Sequence, residues 1–417
     1  MGLREAVGRA PALSEFRRSK FAISSTALSP DRRGSSTQAQ FARPCVTSTK
    51  EASHNSSRSS RRPCRLRSTR VGYATMAWTE PAYSRSRVNQ AGRTLVDPAA
   101  RTQERAEALI VINNWRSSHS FPLNTMQTYL RRKAGDFDPE STTAQRIKRL
   151  PSIRHKLERM PNMSLARMHD IGGGRAVLDS VDAVDGLVTF YTEQSQFKHK
   201  LVRHDAYIAE PKPSGYRGVH LVYAYNSDRK PTYNELRIEL QLRSRLQHAW
   251  ATAVETVGTF TQQALKSSWG EEAWLRFFAL MGSALALREG TPLVPGTLTG
   301  EAELVSELRE YVDQLDVRAR LSAYSAAVQY TERMSERKGH TFLLELDTQE
   351  RALSVRSYED RVVAVEEYSS LERDIEHLPH KDVVLVTVES VAALRSAYPN
   401  YFLDTTAFLA SVEQAIS

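Results

Sequence analysis

The stretch Leu236-Arg-Ile-Glu-Leu-Gln-Leu-Arg243 alternates without interruption, placing Leu236, Ile238, Leu240 and Leu242 on one side of an extended chain and Arg237, Glu239, Gln241 and Arg243 on the other. A strict period of two over this length predicts a strand whose aliphatic face builds core. The other face carries two cations, an amide and a carboxylate. Such a face is either the solvated outside of a sheet or the floor of a polar site, and this segment alone does not choose between them.

Three segments upstream bear on that choice. In Arg146-Ile-Lys-Arg-Leu-Pro-Ser-Ile-Arg-His-Lys156, Arg146 and Lys148 face the same way along an extended lead-in. Pro151 and Ser152 then read as a helix boundary, with Ser152 as the cap and Lys156 one turn in. Free N–H groups at a helix start, a hydroxyl and an ammonium together suit a polyphosphate; a basic solvated helix has the same composition. In His169-Asp-Ile-Gly-Gly-Gly-Arg-Ala-Val-Leu178, Asp170 directly precedes three glycines, and a strand opens at Arg175. The glycines permit close approach of backbone or ligand, or form only a tight turn. A carboxylate at a strand edge near a second one, Glu239, is able to hold Mg²⁺ through a few oxygens and leave positions for phosphate. The loop Tyr207-Ile-Ala-Glu-Pro-Lys-Pro-Ser-Gly-Tyr-Arg-Gly-Val-His220 mixes Tyr216 with Lys212, Arg217 and His220 ahead of a strand from Leu221 to Tyr225. It is either a place to stack a base and bind its phosphates, or a core-edge tyrosine followed by an ordinary strand histidine.

The order and spacing of these segments, Arg146-x-Lys148-x3-Ser152-Ile-x2-Lys156, then Asp170-Ile-x-Gly-x-Arg175, then Lys212-x-Ser-Gly-Tyr216-x3-His220, then Glu239-x-Gln-x-Arg243, resemble the synthetase domain of the RelA/SpoT family of alarmone enzymes. The resemblance covers about residues 140 to 260, including the helical tail from Leu246 to Glu255. It implies an α/β (α+β) fold, a nucleotidyltransferase-like mixed sheet flanked by helices. It also implies transfer of the β,γ-pyrophosphate of ATP to the 3'-hydroxyl of GDP or GTP. Carried over, Arg146 and Arg175 sandwich the adenine, and Lys148, Ser152 and Lys156 hold the donor phosphates. Asp170 and Glu239 anchor Mg²⁺, and Glu239 also draws the proton from the attacking hydroxyl. Tyr216 stacks the acceptor guanine, with Lys212 and His220 on its phosphates and Gln241 on the same side. Pyrophosphoryl transfer is mostly positioning and charge neutralisation, which calls for cations and metal more than a covalent nucleophile.

Two residues depart from the family pattern, both in the acceptor half: Ser214 stands where asparagine is usual, and Gly218 where serine is usual. Two further readings therefore stand beside synthesis of guanosine penta- or tetraphosphate. One is a toxin-like relative that uses the same donor chemistry on the 3' end of tRNA, with the acidic end of the chain as a fused neutralising or regulatory part. The other is a non-catalytic nucleotide-binding regulator, against which the presence of both Asp170 and Glu239 speaks. Between Met76 and Glu140 the only histidine is His119, which argues against the metal-dependent hydrolase of long relatives.

The net charge of +9 is unevenly placed. Residues 1–75 carry 15 Lys/Arg against 4 Asp/Glu, leaving the remainder near neutral at −2. Residues 140–245 are +6 and residues 246–417 are −11, so a basic middle is followed by an acidic end able to dock beside it. The Ser/Arg-rich 1–75 segment reads as a disordered basic tail: a targeting segment, a nucleic-acid-binding arm or an over-extended reading frame before Met76. Both cysteines, Cys45 and Cys64, lie in it, so a reducing cytoplasm is expected; no apolar run is long enough for a membrane span. The sequence leaves homo-oligomerisation open. Helices are expected over Thr102–Trp115, where Ala106, Leu109, Ile110, Val111 and Ile112 suggest a mostly buried element, over Pro122–Lys133, through about 245–289 and over Glu301–Arg337. A hairpin is expected from Thr341 to Tyr358 and a strand from Val383 to Val388. The breakers in Gly290-Thr-Pro-Leu-Val-Pro-Gly296 mark a boundary. The expected division is 1–75 tail, 76–139 helices, 140–290 synthetase-like domain and 297–417 small α+β unit, regulatory in role.

Overall fold

The computed structural model describes residues 78–194, 197–261, 271–326, 329–333, 341–375, 378, 380–388 and 391–417. The basic tail lies outside them. Three helices come first, α1 (Arg85–Val96), α2 (Thr102–Ser118) and α3 (Ser120–Phe137). The next stretch alternates: β1 (Thr142–Ile147), α4 (Leu150–Arg159), β2 (Gly172–Leu178), α5 (Val181–Thr189), β3 (Lys200–Ala206), β4 (Val219–Ala224), β5 (Arg237–Ser244) and α6 (Arg245–Thr261). Then follow α7 (Glu272–Glu289), α8 (Glu301–Gln314), α9 (Val317–Ala326), β6 (Gln329–Arg333), β7 (Thr341–Asp347), β8 (Ala352–Tyr358), α10 (Arg361–Asp374), β9 (Lys381–Thr387), α11 (Val391–Ala397) and α12 (Thr406–Ile416).

The strands form one mixed sheet in the order β3-β4-β5-β2-β1-β9-β7-β8-β6. The pairs β2–β5 and β6–β8 run parallel and the others antiparallel. In β5 the aliphatic face is core, as the alternation requires, with Ile238, Leu240 and Leu242 fully buried. The polar face settles the ambiguity of the sequence: Glu239 is 9% and Arg243 3% exposed, so it is no solvated exterior. The three glycines lie inside β2 rather than in a turn. A Cβ on Gly172 would stand 2.7 Å from Ile238 Cδ1, and one on Gly174 would stand 2.6 Å from Gln127 Oε1. Their bareness lets β5 and α3 close onto the strand, while Gly173 meets only the Arg146 carbonyl, at 4.0 Å.

Several expectations need correcting. The element α1 was not read, although Val88, Ala91 and Leu95 recur at helical spacing. In α2, Ile110 is 62% exposed; the buried stripe is Ala108, Val111, Ile112 and Trp115, a one-sided helix. Ser152 is not a cap: α4 starts at Leu150 with Arg149 at the N-cap and Pro151 in the first turn, where a missing N–H costs nothing. The free N–H of Leu150 is instead satisfied by Glu372 Oε1 at 2.7 Å. The expected helix over Glu301–Arg337 divides into α8 and α9 and gives way to β6, which pairs with β8. The hairpin is as expected, β7 against β8.

The breakers at residues 290–296 do turn the chain, and Gly290 closes α7 in the left-handed region at φ +63°. They do not part the sheet. β9 pairs with β1 through Gln145↔Thr387 and Arg146↔Val386, and Phe408 and Val412 of α12 join Trp250, Phe277 and Leu308 in one apolar cluster. Residues 297–417 thus complete the sheet that 140–290 begins, within one compact unit from Tyr73 to Ser417. Among the described residues no helix is long and apolar enough to cross a membrane.

Candidate active site

Parallel pairing of β2 with β5 sets Gly173 opposite Glu239 and Arg175 opposite Gln241, and antiparallel β4 sets His220 beside Gln241. Asp170 lies just before β2. A cleft forms over these strands, lined by Arg146, Lys148, Asp170, Arg175, Glu239 and Gln241 together with Tyr398. Of the sequence-derived candidates, Lys156 reaches it through Asp170, and Tyr216 and His220 through Glu239. Ser152 and Lys212 are not among the lining residues. Lys212 instead places its ammonium 4.0 Å from the centre of the Tyr207 ring and 5.1 Å from that of Tyr216. Arg217 serves the fold, donating to the carbonyls of Gly282 and Pro292.

Both carboxylates are ionised and fully engaged. Lys148 Nζ donates to Asp170 Oδ2 at 2.6 Å and Lys156 Nζ to Oδ1 at 2.9 Å. Burial alone would raise Asp170, but the two ammonium groups hold it well below the usual carboxylate range. Burial lowers Lys148 despite the pull of Asp170. Glu239 accepts from Gln241 Nε2 at 2.6 Å and from His220 Nδ1 at 3.1 Å. Its pKa is lowered: burial and the nearby Asp170 raise it, and His220 and Gln241 more than compensate. Burial would depress His220, yet Tyr216 and Glu239 bring it up to about 9, so at neutral pH it is an imidazolium. Its other nitrogen meets Tyr216 Oη at 2.5 Å, and that hydroxyl also accepts from Arg243 at 2.6 Å. A line of contacts, Arg243 to Tyr216 to His220 to Glu239, therefore fixes the carboxylate from behind. Asp170 and Glu239 are the groups in the cleft able to hold a divalent ion; among the described residues no cluster of three or more His, Cys, Asp or Glu does so.

Of the two departures in the loop, one has a local reason. Gly218 adopts φ +141°, and a Cβ there would lie 3.1 Å from Arg243 Cγ, so a serine would crowd the guanidinium that holds Tyr216. Ser214 is buried, and its hydroxyl has no partner among the described residues.

The Arg175 side of the cleft is covered by the chain itself. The guanidinium of Arg175 sits 5.6 Å from the centre of the Tyr398 ring and donates to Ala397 O at 3.0 Å. His248 Nε2 contacts Ser396 O at 3.0 Å, and Arg149 lies 5.9 Å from the centre of the Tyr401 ring. Burial, then the neighbouring Arg243, pushes Arg175 down to about 10. Tyr398 is 3% exposed and the cleft retains a cavity of about 30 Å³, far below the roughly 300 Å³ at which small-molecule sites begin. The sequence reading missed Tyr398 and Tyr401. The pair around Pro399-Asn400 was visible, but nothing local to it points to arginines more than two hundred positions away.

The fold and cleft define a mixed α+β sheet domain whose two carboxylates are bound by cations and hydrogen-bond donors. Residues 145–262 match the region found in RelA / SpoT proteins. The chain is 31% identical over 119 residues to GTP pyrophosphokinase YjbM of Bacillus subtilis, covering 28% of this chain and 56% of that protein. It is 23% identical over 156 residues to YwaC of the same organism, also a GTP pyrophosphokinase, covering 34% and 73%. The chain thus spans little more than half the length of the first of these relatives. Among solved structures it is similar to small alarmone synthetase 1 of Bacillus subtilis bound to its product pppGpp, at 19% identity and a TM-score of 0.36 over 45% of this chain and 94% of that one. It is also similar to a GTP pyrophosphokinase family protein of Streptococcus pneumoniae, at 22% identity and a TM-score of 0.34 over 40% and 86%.

Proposed function

We propose that this protein transfers the β,γ-pyrophosphate of ATP to the 3'-hydroxyl of GTP or GDP, giving guanosine penta- or tetraphosphate and AMP, with Mg²⁺ as cofactor. The observation that carries this reading is the pairing of two ionised carboxylates, Asp170 and Glu239, with Lys148, Lys156, Arg146 and Arg175 around one cleft. Two protein carboxylates are the usual complement for Mg²⁺ when phosphate oxygens and water complete its shell, so the donor set fits. When bound, the ion neutralises charge on the transferring phosphates. Lys148 and Lys156, now paired to Asp170, are placed to turn to those phosphates when Asp170 binds the ion. Glu239 accepts the proton of the attacking hydroxyl as the new O–P bond forms at the β-phosphorus and the bond to the α-phosphate oxygen breaks. Its low pKa makes it a weak base until acceptor phosphates draw His220 away. The pyrophosphokinase names of the two Bacillus relatives support the same reaction. The cytoplasm, where ATP and guanine nucleotides are plentiful, is the proposed location.

One observation favours a second reading, with the 3' end of tRNA as acceptor: Tyr216, expected to stack guanine, is 6% exposed and its hydroxyl is tied to Arg243 and His220. The test is to incubate the full chain and its Tyr398→Ala variant with γ-labelled ATP and Mg²⁺, offering GDP, GTP or deacylated tRNA. Label on GDP or GTP supports the first reading. Label on tRNA alone sinks it, and no label on any acceptor with either protein sinks both.

A further inference from the structure

A second cavity lies between the amino-terminal helices and α10, away from the carboxylates. Trp78, Ser117, Ser120, Arg361, Val362 and Val365 line it, and its volume is about 240 Å³. A narrow neighbour of about 40 Å³ shares Ser117, Ser120, Arg361 and Val365 with it and reaches Gln145 and Arg146. The wall is largely apolar, yet Arg361 stands in it. Its neighbour Asp360 spends its carboxylate on the N–H of Val362 at 2.7 Å, as the cap of α10. The Arg361 guanidinium lies 5.1 Å from the centre of the Trp78 ring, and it has no hydrogen-bond or ion-pair partner among the described residues. Burial pushes it down to about 10 with no compensating carboxylate. The hydroxyls of Ser117 and Ser120 likewise have no hydrogen-bond partner among the described residues.

A guanidinium is charged at any physiological pH, and a charge drawn out of water without a counterion is costly. Half-buried in this cavity beside hydroxyls that have no protein partner among the described residues, it is placed to receive an oxyanion. The remaining wall selects further: the Trp78 ring and the two valines favour an apolar body, and Glu366, which lines the same cavity, disfavours a second negative charge. We propose that this cavity binds a small monocarboxylate with an apolar body, its carboxylate on Arg361 and the serine hydroxyls and its body against Trp78, Val362 and Val365. This proposal is independent of the transfer reaction, since no residue of the carboxylate pair enters it and its readout is binding alone.

The test is calorimetric titration of the full chain with benzoate as probe, beside acetate, benzyl alcohol and phenyl phosphate. Benzoate should bind saturably, and the other three, lacking body, charge or single charge, about tenfold or more weaker. Arg361→Met should weaken benzoate by about tenfold or more, because a charge-assisted contact is lost, while Tyr398→Ala, at the other cleft, should leave it unchanged. Val365→Phe, which fills the cavity without touching a charge, should abolish binding and serves if Arg361→Met does not fold. No saturable benzoate binding up to about 10 mM, equal binding of acetate or phenyl phosphate, or full binding by either cavity variant would overturn the proposal.

Discussion

Replacing Tyr398 by alanine is expected to unmask the donor side of the cleft. The ring lies against the guanidinium of Arg175, away from water, in a setting where a cation–π contact contributes about 2 kcal/mol. On the proposed function, only the fraction of molecules with Arg175 free of the ring binds ATP, and the apparent affinity falls by that fraction. Removing about 2 kcal/mol of closure raises the apparent ATP affinity about 30-fold. The main-chain bond from Arg175 to Ala397 O survives the substitution, which makes 30-fold the upper end. Deleting a buried aromatic also costs about 3–5 kcal/mol of stability, so binding must be read well below the melting transition of the variant. Tyr398→Phe keeps the ring and should bind ATP like the parent. The measurement is titration with a fluorescent, non-hydrolysable ATP analogue in Mg²⁺. If the folded Tyr398→Ala variant binds it no tighter than the parent, the cover does not limit access and the reasoning fails.

Other outcomes follow from the same geometry. Glu239→Gln should cut pyrophosphoryl transfer by about 10²–10⁴-fold, the range for a lost general base, with ATP binding within a few-fold; transfer at parental rate would remove the proton-accepting role. Glu372→Ala leaves Arg116 buried without its bidentate partner and frees the Leu150 N–H, so urea unfolding should show a loss of about 3–5 kcal/mol. Substituting Arg116 and Glu372 together by apolar residues should recover much of it, and a double variant as weak as the single one would count against the argument. His119 is buried, and burial pushes it down to about 4. Its stabilisation is present above the ordinary value near 6.5 and is lost as pH falls from there towards about 4. The melting temperature of His119→Gln should therefore fall less between pH 7.5 and 5 than that of the parent; identical slopes would contradict the assignment.

The sequence exposed what is encoded in neighbouring residues. Period two in β5, the carboxylate ahead of the glycines and the hairpin of β7 and β8 all depend on contacts within a few positions, and all are where they were expected. The charged face of β5 was ambiguous because burial depends on what stands over a strand, and here that includes the His220 side chain from β4 and the distant Tyr398. Ser152 was misplaced as a cap because the group that satisfies the helix start, Glu372, is 222 residues away. The strand β6 was read as helix because its pairing with β8, which wins over local propensity, leaves no short-range trace. The sheet's continuation past residues 290–296 was hidden for the same reason: Gly and Pro report a turn, and a turn does not say whether the strands beyond it rejoin those before.

The seam between β1 and β9 is two residue pairs wide, and Arg146 is in it. It sets a limit on how this protein can be divided. Severing the chain at residues 290–296 would leave β1 as a naked sheet edge, strip α6 and α7 of the apolar face of α12, and turn a paired strand carrying the cleft-lining Arg146 into a template for association. The apparent linker is a hinge in sequence only. The cleft residues and the segment that covers them are halves of one folding unit, so the cover comes with the site, and point substitution rather than truncation is the tool that can separate them.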